Sequence, residues 1–160
     1  GNGSVFTVSL PLPARALETT SDTTAPAPSA PERRLRILVV EDNRDGAETL
    51  TTLLQTLGHE VHTVLDGGLA VDAATQFRPE LVLLDLGLPH LDGYQVCRQL
   101  RAQSWGPALK VVAMTGWGDA EAQRAAAAAG FDRHLVKPVD ESALLAALEL
   151  ALERRAPCDD

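Results

Sequence analysis

Cysteine is scarce in this sequence, with Cys97 and Cys158 the only two among 160 residues. They have no metal-ligand spacing, and Cys158 sits in a polar tail. That excludes a disulfide framework and leads us to expect a reduced, intracellular protein. Long apolar runs are also missing. None reaches the ~18 residues a membrane-spanning helix needs, and no basic-then-apolar signal segment opens the chain. These residues are therefore expected to make no membrane contact and to be cytoplasmic. The chain opens on Gly1 rather than Met and reads as a fragment, so any membrane anchor of the parent protein is expected upstream. Positive charge is in deficit, with 14 Lys and Arg against 22 Asp and Glu, a net charge of −8. An acidic chain repels phosphate backbones, so nucleic acid is not an expected partner. Hydrophobic residues make up 45% and charged residues 22%, which suits a globular chain able to bury a core without staples.

Four zones are expected. Residues 1–13 alternate apolar and polar through Val5, Thr7, Val8, Ser9 and Leu10, then meet prolines. That reads as one short strand, too short to fold alone. Residues 14–34 are dominated by Ala, Pro, Ser and Thr without periodicity, the composition of a flexible linker. From Leu35 to Arg155 strand and helix patterns alternate, and residues 156–160 form a tail. The apolar run Arg36–Val40 is followed by a helical stretch with Ala47, Leu50, Leu53, Leu54 and Leu57 on one face. Glu60–Leu65, Leu81–Leu84, Leu109–Met114 and Phe131–Val136 read as further strands. Helices are expected at Gly67–Phe77, Gly93–Gln103, Asp119–Ala129 and Asp140–Arg154. Five β-α units of this kind predict an α/β fold, a doubly wound parallel sheet covered on both faces.

In such a sheet ligands bind beyond the carboxyl ends of the strands. Glu41 and Asp42 follow the first strand, Asp85 the third, Thr115 and Gly116 the fourth, and Lys137 and Pro138 the fifth. Carboxylates brought together raise one another's pKa and need a cation. Lys137 is one candidate. A hard divalent ion is the other, because oxygen-only ligands favour Mg²⁺, Mn²⁺ or Ca²⁺ over Zn²⁺. With hydrogen bonds from Thr115 and the Gly116 backbone, Asp85 is placed as a nucleophile toward phosphorus. Taken singly, each residue fits a turn or a cap equally well. Their joint placement at strand ends is what points to chemistry. His59, His62 and His90 show no ligand spacing and read as ordinary residues.

The region from Leu35 to Arg155 resembles response-regulator receiver domains. The residues that carry the resemblance are Glu41–Asp42, the run from Asp85 through Gly87, Leu88, Pro89 and Asp92 to Gly93, then Thr115, and finally Lys137–Pro138. The resemblance implies a flavodoxin-like fold with five strands in the order 2-1-3-4-5 and five helices. It implies that Asp85 accepts a phosphoryl group from a phosphohistidine, and that Asp42, Asp85 and the Gly87 carbonyl hold Mg²⁺ (or Mn²⁺), with Glu41 acting largely through water. Lys137 would pair with Asp85 and then with a phosphoryl oxygen. Thr115 would carry the signal onward, and the Lys137–Pro138 bond would be cis. The partner it implies is a histidine-kinase dimerisation domain or a histidine phosphotransfer protein.

Several positions depart from the family pattern. Glu41 stands where Asp is frequent, Leu88 where Met is frequent, and Gly87 where a side chain often tunes phosphoryl lifetime. Trp117 occupies another such tuning position. His134 stands where Tyr or Phe often switches rotamer, and its imidazole is expected to make that coupling pH-dependent. Residues 1–13 resemble the closing strand of a histidine-kinase ATP-binding domain, which makes the expected parent a hybrid sensor histidine kinase. The chain itself holds no complete kinase site and is expected to catalyse only its own phosphorylation and dephosphorylation. No output domain is visible after Arg155, so relay to another histidine, control of the kinase or docking is the expected output. The alternatives are a stand-alone regulator, a pseudo-receiver that only docks, and a haloacid-dehalogenase-type phosphatase. The last expects a second Asp at position 87, where Gly stands.

Overall fold

Val, Ile and Leu fill the short runs that form the strands, and these β-branched and aliphatic side chains suit a pleated, covered surface. The computed structural model describes residues 33–89, 91–116 and 120–153. Its strands are β1 (Arg36–Val40), β2 (Glu60–Val64), β3 (Leu81–Asp85), β4 (Lys110–Thr115) and β5 (Arg133–Val136). Its helices are α1 (Arg44–Thr56), α2 (Ala70–Phe77), α3 (Gly93–Arg101), α4 (Ala120–Ala129) and α5 (Glu141–Leu152). All neighbouring strands are parallel, in the order β2-β1-β3-β4-β5. This is the expected doubly wound flavodoxin-like fold.

The period-two geometry of a strand divides the core into two layers. Leu38, Val40, Val82, Leu84, Val111 and Ala113 point toward α2, α3 and α4, where Ala74, Val96, Leu100 and Ala126 meet them. The alternate residues Ile37, Val39, Leu81, Leu83, Val112 and Met114 point the other way, onto Leu54 of α1 and Leu144 and Leu148 of α5. β3 is buried along its whole length. The edge strands differ from expectation, because only Val64 is buried in β2 and only Leu135 in β5. Among the described residues each has a strand neighbour on one side alone, so polar residues such as Glu60 and Arg133 are tolerated there.

Helix ends follow local chemistry. The side chain of Asn43 accepts the N–H groups of Asp45 and Gly46 at 3.1 and 3.4 Å and starts α1. Asp92 accepts from Tyr94 at 3.0 Å and starts α3, and Asp140 accepts from Ala143 at 2.7 Å and starts α5. Gly58, at φ 89°, closes α1 in the left-handed region that glycine enters without steric cost. The stretch expected as one helix from Gly67 begins as a 3₁₀ turn, Gly67–Leu69, in which Asp66 binds the Gly68 N–H at 2.8 Å. β5 starts at Arg133 rather than Phe131. Asp132 stands in the turn before it, where its carboxylate accepts the Val111 N–H at 2.8 Å.

Arg101 explains why α3 stops at its own position rather than at Gln103. Its Nε–H donates to the Gly130 carbonyl at 2.8 Å, and Nη1 donates to the Gly106 and Leu109 carbonyls at 2.7 and 2.6 Å. Nη2 pairs with Asp132 at 2.5 Å. One side chain thus ties the end of α3 to the entry of β4 and the turn after α4. His59 is buried and accepts the Leu35 N–H on Nδ1 at 3.3 Å, and burial holds its pKa below the ordinary value. Of the residues expected in the linker, Arg33 pairs with Glu80 and Arg34 lies 3.8 Å from Glu60. The strand expected at residues 1–13, most of the linker and the tail lie outside the described residues.

Arg101→Met keeps much of the aliphatic stem and removes every donor. It takes the guanidinium away from three carbonyls and from Asp132, so the expected loss is about 3 kcal/mol of unfolding free energy. Urea denaturation checks this. A loss near zero shows that water replaces the guanidinium and that the latch is not needed.

Candidate functional site

The site forms where backbone pairing runs on past the strand ends. Glu41 donates its N–H to the Val64 carbonyl at 3.1 Å, Leu86 to Met114 at 2.9 Å and Lys137 to Thr115 at 2.7 Å. These bonds hold the residues after β1, β3 and β5 side by side. Glu41, Asp85 and Thr115 are buried, at 4%, 5% and 6% exposure, while Asp42 is exposed at the rim.

Lys137 joins the carboxylates. Its Nζ lies 2.6 Å from Glu41 Oε2 and 2.8 Å from Asp85 Oδ2. The resemblance pairs Lys137 with Asp85, and the structure adds the bond to Glu41. The remaining oxygens are also occupied. Asp85 Oδ1 accepts the Gly87 N–H at 2.9 Å, and Glu41 Oε1 accepts the Asn43 N–H at 3.3 Å. Burial lifts the Glu41 pKa above its ordinary value, and the Asp85 charge adds to this against the lowering pull of Lys137. Burial alone would lower the Lys137 pKa, but hydrogen bonds and charge from Asp85 and Glu41 more than reverse that and hold it high. Lys137 is thus a firm ammonium at neutral pH.

One ammonium does not balance three carboxylates. Glu41, Asp42 and Asp85 each offer an oxygen, and these oxygens lie within 4.8 Å of one another. An all-oxygen set at that spacing, with one member open to solvent, fits a hard divalent ion that keeps part of its water shell. Gly87 is exposed beside it, and a Cβ there would lie 3.5 Å from Asp85 Oδ1, in ordinary contact. Gly93 has no such freedom, since a Cβ there would come within 2.5 Å of the Asp85 carbonyl and 2.9 Å of Leu86 Cα. The backbone of α3 therefore packs directly against the loop after Asp85. The Lys137–Pro138 bond is cis.

A cleft opens beside Asp85, lined by Thr115, Gly116 and Lys137 on one side and by Tyr94, Glu121 and Ala125 on the other. Tyr94 and the two α4 residues escaped the sequence reading, because only the packing of α3 and α4 brings them to the strand ends. Tyr94 carries a weak signal in its position directly after the Asp92–Gly93 helix start. Its ring meets Phe131 edge-on, with centroids 6.1 Å apart. His134 is half-buried in β5 in register with Ala113, and it does not line the cleft. Trp117 and His90 lie outside the described residues.

The response regulator receiver domain model matches residues 37–149. The chain belongs to this family. Among its curated relatives is the response regulator MprA of Mycobacterium avium, 39% identical over 126 residues, which are 79% of this chain and 54% of that protein. Another is MprA of Mycolicibacterium vanbaalenii, at 39% over 125 residues, 78% of this chain and 53% of the relative. The receiver chain thus spans about half the length of the curated relatives it matches. Among solved structures, the chemotaxis response regulator CheY4 of Vibrio cholerae superposes with a TM-score of 0.70 at 26% identity, covering 74% of this chain and 99% of that one. The BeF3-activated N-terminal receiver domain of Klebsiella pneumoniae RstA gives 0.68 at 28%, covering 74% and 99%. No helix among the described residues is long and apolar enough to cross a membrane.

Removing the Lys137 ammonium leaves two buried carboxylates facing each other. Lys137→Met is expected to cost about 2 kcal/mol at pH 7.5 in EDTA, reduced from the fully buried case because Lys137 is partly exposed. The sign with pH follows from Glu41. Its raised pKa means that the folded state takes up a proton more readily than the unfolded one, so lowering the pH favours folding at this group. The deficit of the variant should therefore shrink as pH falls through the Glu41 range. Urea titrations at several pH values measure it, and a deficit that is constant with pH contradicts the assignment.

Proposed function

We propose that the chain is a phosphorelay receiver in which Asp85 accepts a phosphoryl group from a phosphohistidine. The observation that carries this reading is the bridge from Lys137 to Asp85 and Glu41 beside an acidic cluster at the carboxyl edge of the sheet. An Asp85 oxygen attacks phosphorus, an O–P bond forms, and the P–N bond to the donor imidazole breaks. The imidazole nitrogen keeps the electron pair. Reversal of the state is hydrolysis, in which water attacks phosphorus and the Asp85 carboxylate leaves.

Each neighbour has a role in this reading. Asp42, Asp85 and the Gly87 carbonyl hold Mg²⁺ or Mn²⁺, and Glu41 helps through water. A bound divalent ion supplies charge neutralisation to the transferring phosphoryl oxygens. Lys137 holds Asp85 before transfer and a phosphoryl oxygen after it. Thr115, buried at the end of β4, donates to the phosphoryl group and passes the change on, together with His134 and Trp117. The partner is a histidine-kinase dimerisation domain or a histidine phosphotransfer protein, and the setting is cytoplasmic.

The wider context has two readings. Residues 1–13, as the last strand of an ATP-binding domain, with 14–34 as linker, 35–155 as receiver and 156–160 as tail, support a hybrid sensor histidine kinase. The names of the two curated relatives described above, both response regulators, favour a regulator that is separate from its kinase. A dimerisation helix and an ATP-binding domain encoded directly upstream decide for the hybrid kinase, and their absence decides against it.

Incubation with acetyl phosphate and Mg²⁺ should add the mass of one phosphoryl group, and Asp85→Asn should abolish the gain. EDTA should do the same. No gain in the unmodified chain favours a docking pseudo-receiver, and a gain that persists in Asp85→Asn moves the acceptor elsewhere.

A further inference from the structure

The opposite edge of the sheet carries the reverse charge. Hydrogen bonds from Glu80 N–H to the Arg36 carbonyl at 2.8 Å, and from Lys110 N–H to the Glu80 carbonyl at 3.1 Å, set these residues side by side at the amino ends of β1, β3 and β4. Around them is a groove of about 560 Å³, into which Arg33, Arg36, Arg78, Lys110 and Trp105 also project their surfaces. Four cations face two acids there, Glu80 and Glu153, on a chain whose net charge is −8. Glu80 is already engaged, with one oxygen on Arg33 and the other 3.3 Å from the Arg36 N–H. Lys110 lies a long 3.6 Å from Asp132, whose other oxygen is taken by Arg101 and the Val111 N–H. Among the described residues neither Arg36 nor Arg78 has an acidic partner.

Arg78 is unusual in its backbone as well. It ends α2 in the left-handed region, at φ 52°, directly before Pro79. Glycine is the usual residue there, and a residue before proline prefers extended backbone. A glycine would relieve the conformation but would remove the guanidinium from the rim of the groove.

We propose that this groove binds a nucleotide, with the phosphates on Arg36, Arg78 and Lys110 and the base against Trp105. The volume lies within the ~300–1,000 Å³ usual for small-ligand sites. Guanidinium groups match phosphate oxygens in pairs, and a half-buried indole offers a flat face to any base. Pro79, Ala108 and Leu109 supply apolar wall for the ring and sugar. An inorganic anion would use the cations and leave the indole idle. The site is at the other end of the strands from Asp85 and shares no lining residue with the acidic cleft.

The test uses the full chain in EDTA, which removes any divalent ion at the acidic edge. In a Trp117→Phe background Trp105 is the single indole, and its fluorescence is titrated with ADP, adenosine and inorganic pyrophosphate. ADP should give a saturable change, with adenosine and pyrophosphate each weaker by about tenfold or more. Arg78→Gly, which eases the backbone, should fold at least as well and bind ADP about tenfold more weakly, and so should Arg36→Ser. Calorimetric titration of the unmodified chain should return the same order of ligands. Three results overturn the proposal: no saturable ADP binding by calorimetry, pyrophosphate binding as tightly as ADP, or affinity unchanged in both arginine variants.

Discussion

Lys137 is the contact on which the acidic edge depends. Two carboxylates, each nearly out of water, would repel at this separation and drive one of them to protonate. The ammonium between Glu41 and Asp85, at 2.6 and 2.8 Å, keeps both in place. It is not enough to neutralise Asp42 as well, and a divalent ion would offset that residual charge. The arrangement also requires a parallel sheet. Only there do β1, β3, β4 and β5 all deliver their carboxyl ends to one side, with backbone bonds continuing into Glu41, Leu86 and Lys137.

The chemistry of the site rests on packing that has no chemistry of its own. Gly93 lets α3 lie against the Asp85 carbonyl, where any side chain would collide. Arg101 secures the far end of the same helix to three carbonyls and to Asp132. Between them, α3 is held at both ends, and Tyr94 is fixed at the mouth of the cleft. The two layers of the core divide the labour. The α2–α4 layer shapes the cleft, while α1 and α5 cover the other face of the strands that carry the acidic residues.

The fold was largely legible in the sequence because its strands are short apolar runs that end in polar residues of distinct chemistry. Strand ends are local features, so Glu41, Asp42, Asp85, Thr115 and Lys137 could be placed together from the alternation of strand and helix. What was missed is non-local. The Lys137–Glu41 bond, the position of Tyr94 over the cleft and the bonds of Asp132 to Val111 and Arg101 depend on how separate units pack. β5 starts two residues later than expected, after Asp132, and no propensity reports the bonds that its carboxylate makes to β4 and Arg101. His134, at the position where Tyr or Phe often switches rotamer, sits half-buried in β5 and outside the cleft lining, a placement that depends on how β5 packs. The amino-end groove was invisible for the same reason, since Arg36, Arg78 and Lys110 are scattered singly along the chain.

The central claim is that Glu41 and Asp85, held by one ammonium, make a divalent-ion site together with Asp42, and that Asp85 is its nucleophile. A crystal structure of the chain grown with Mg²⁺ tests it most directly. The account predicts an octahedral ion at about 2.1 Å from Asp42 and Asp85 oxygens and the Gly87 carbonyl, with Lys137 still on Asp85. An empty acidic edge at millimolar Mg²⁺, or an ion bound without Asp85, would contradict it.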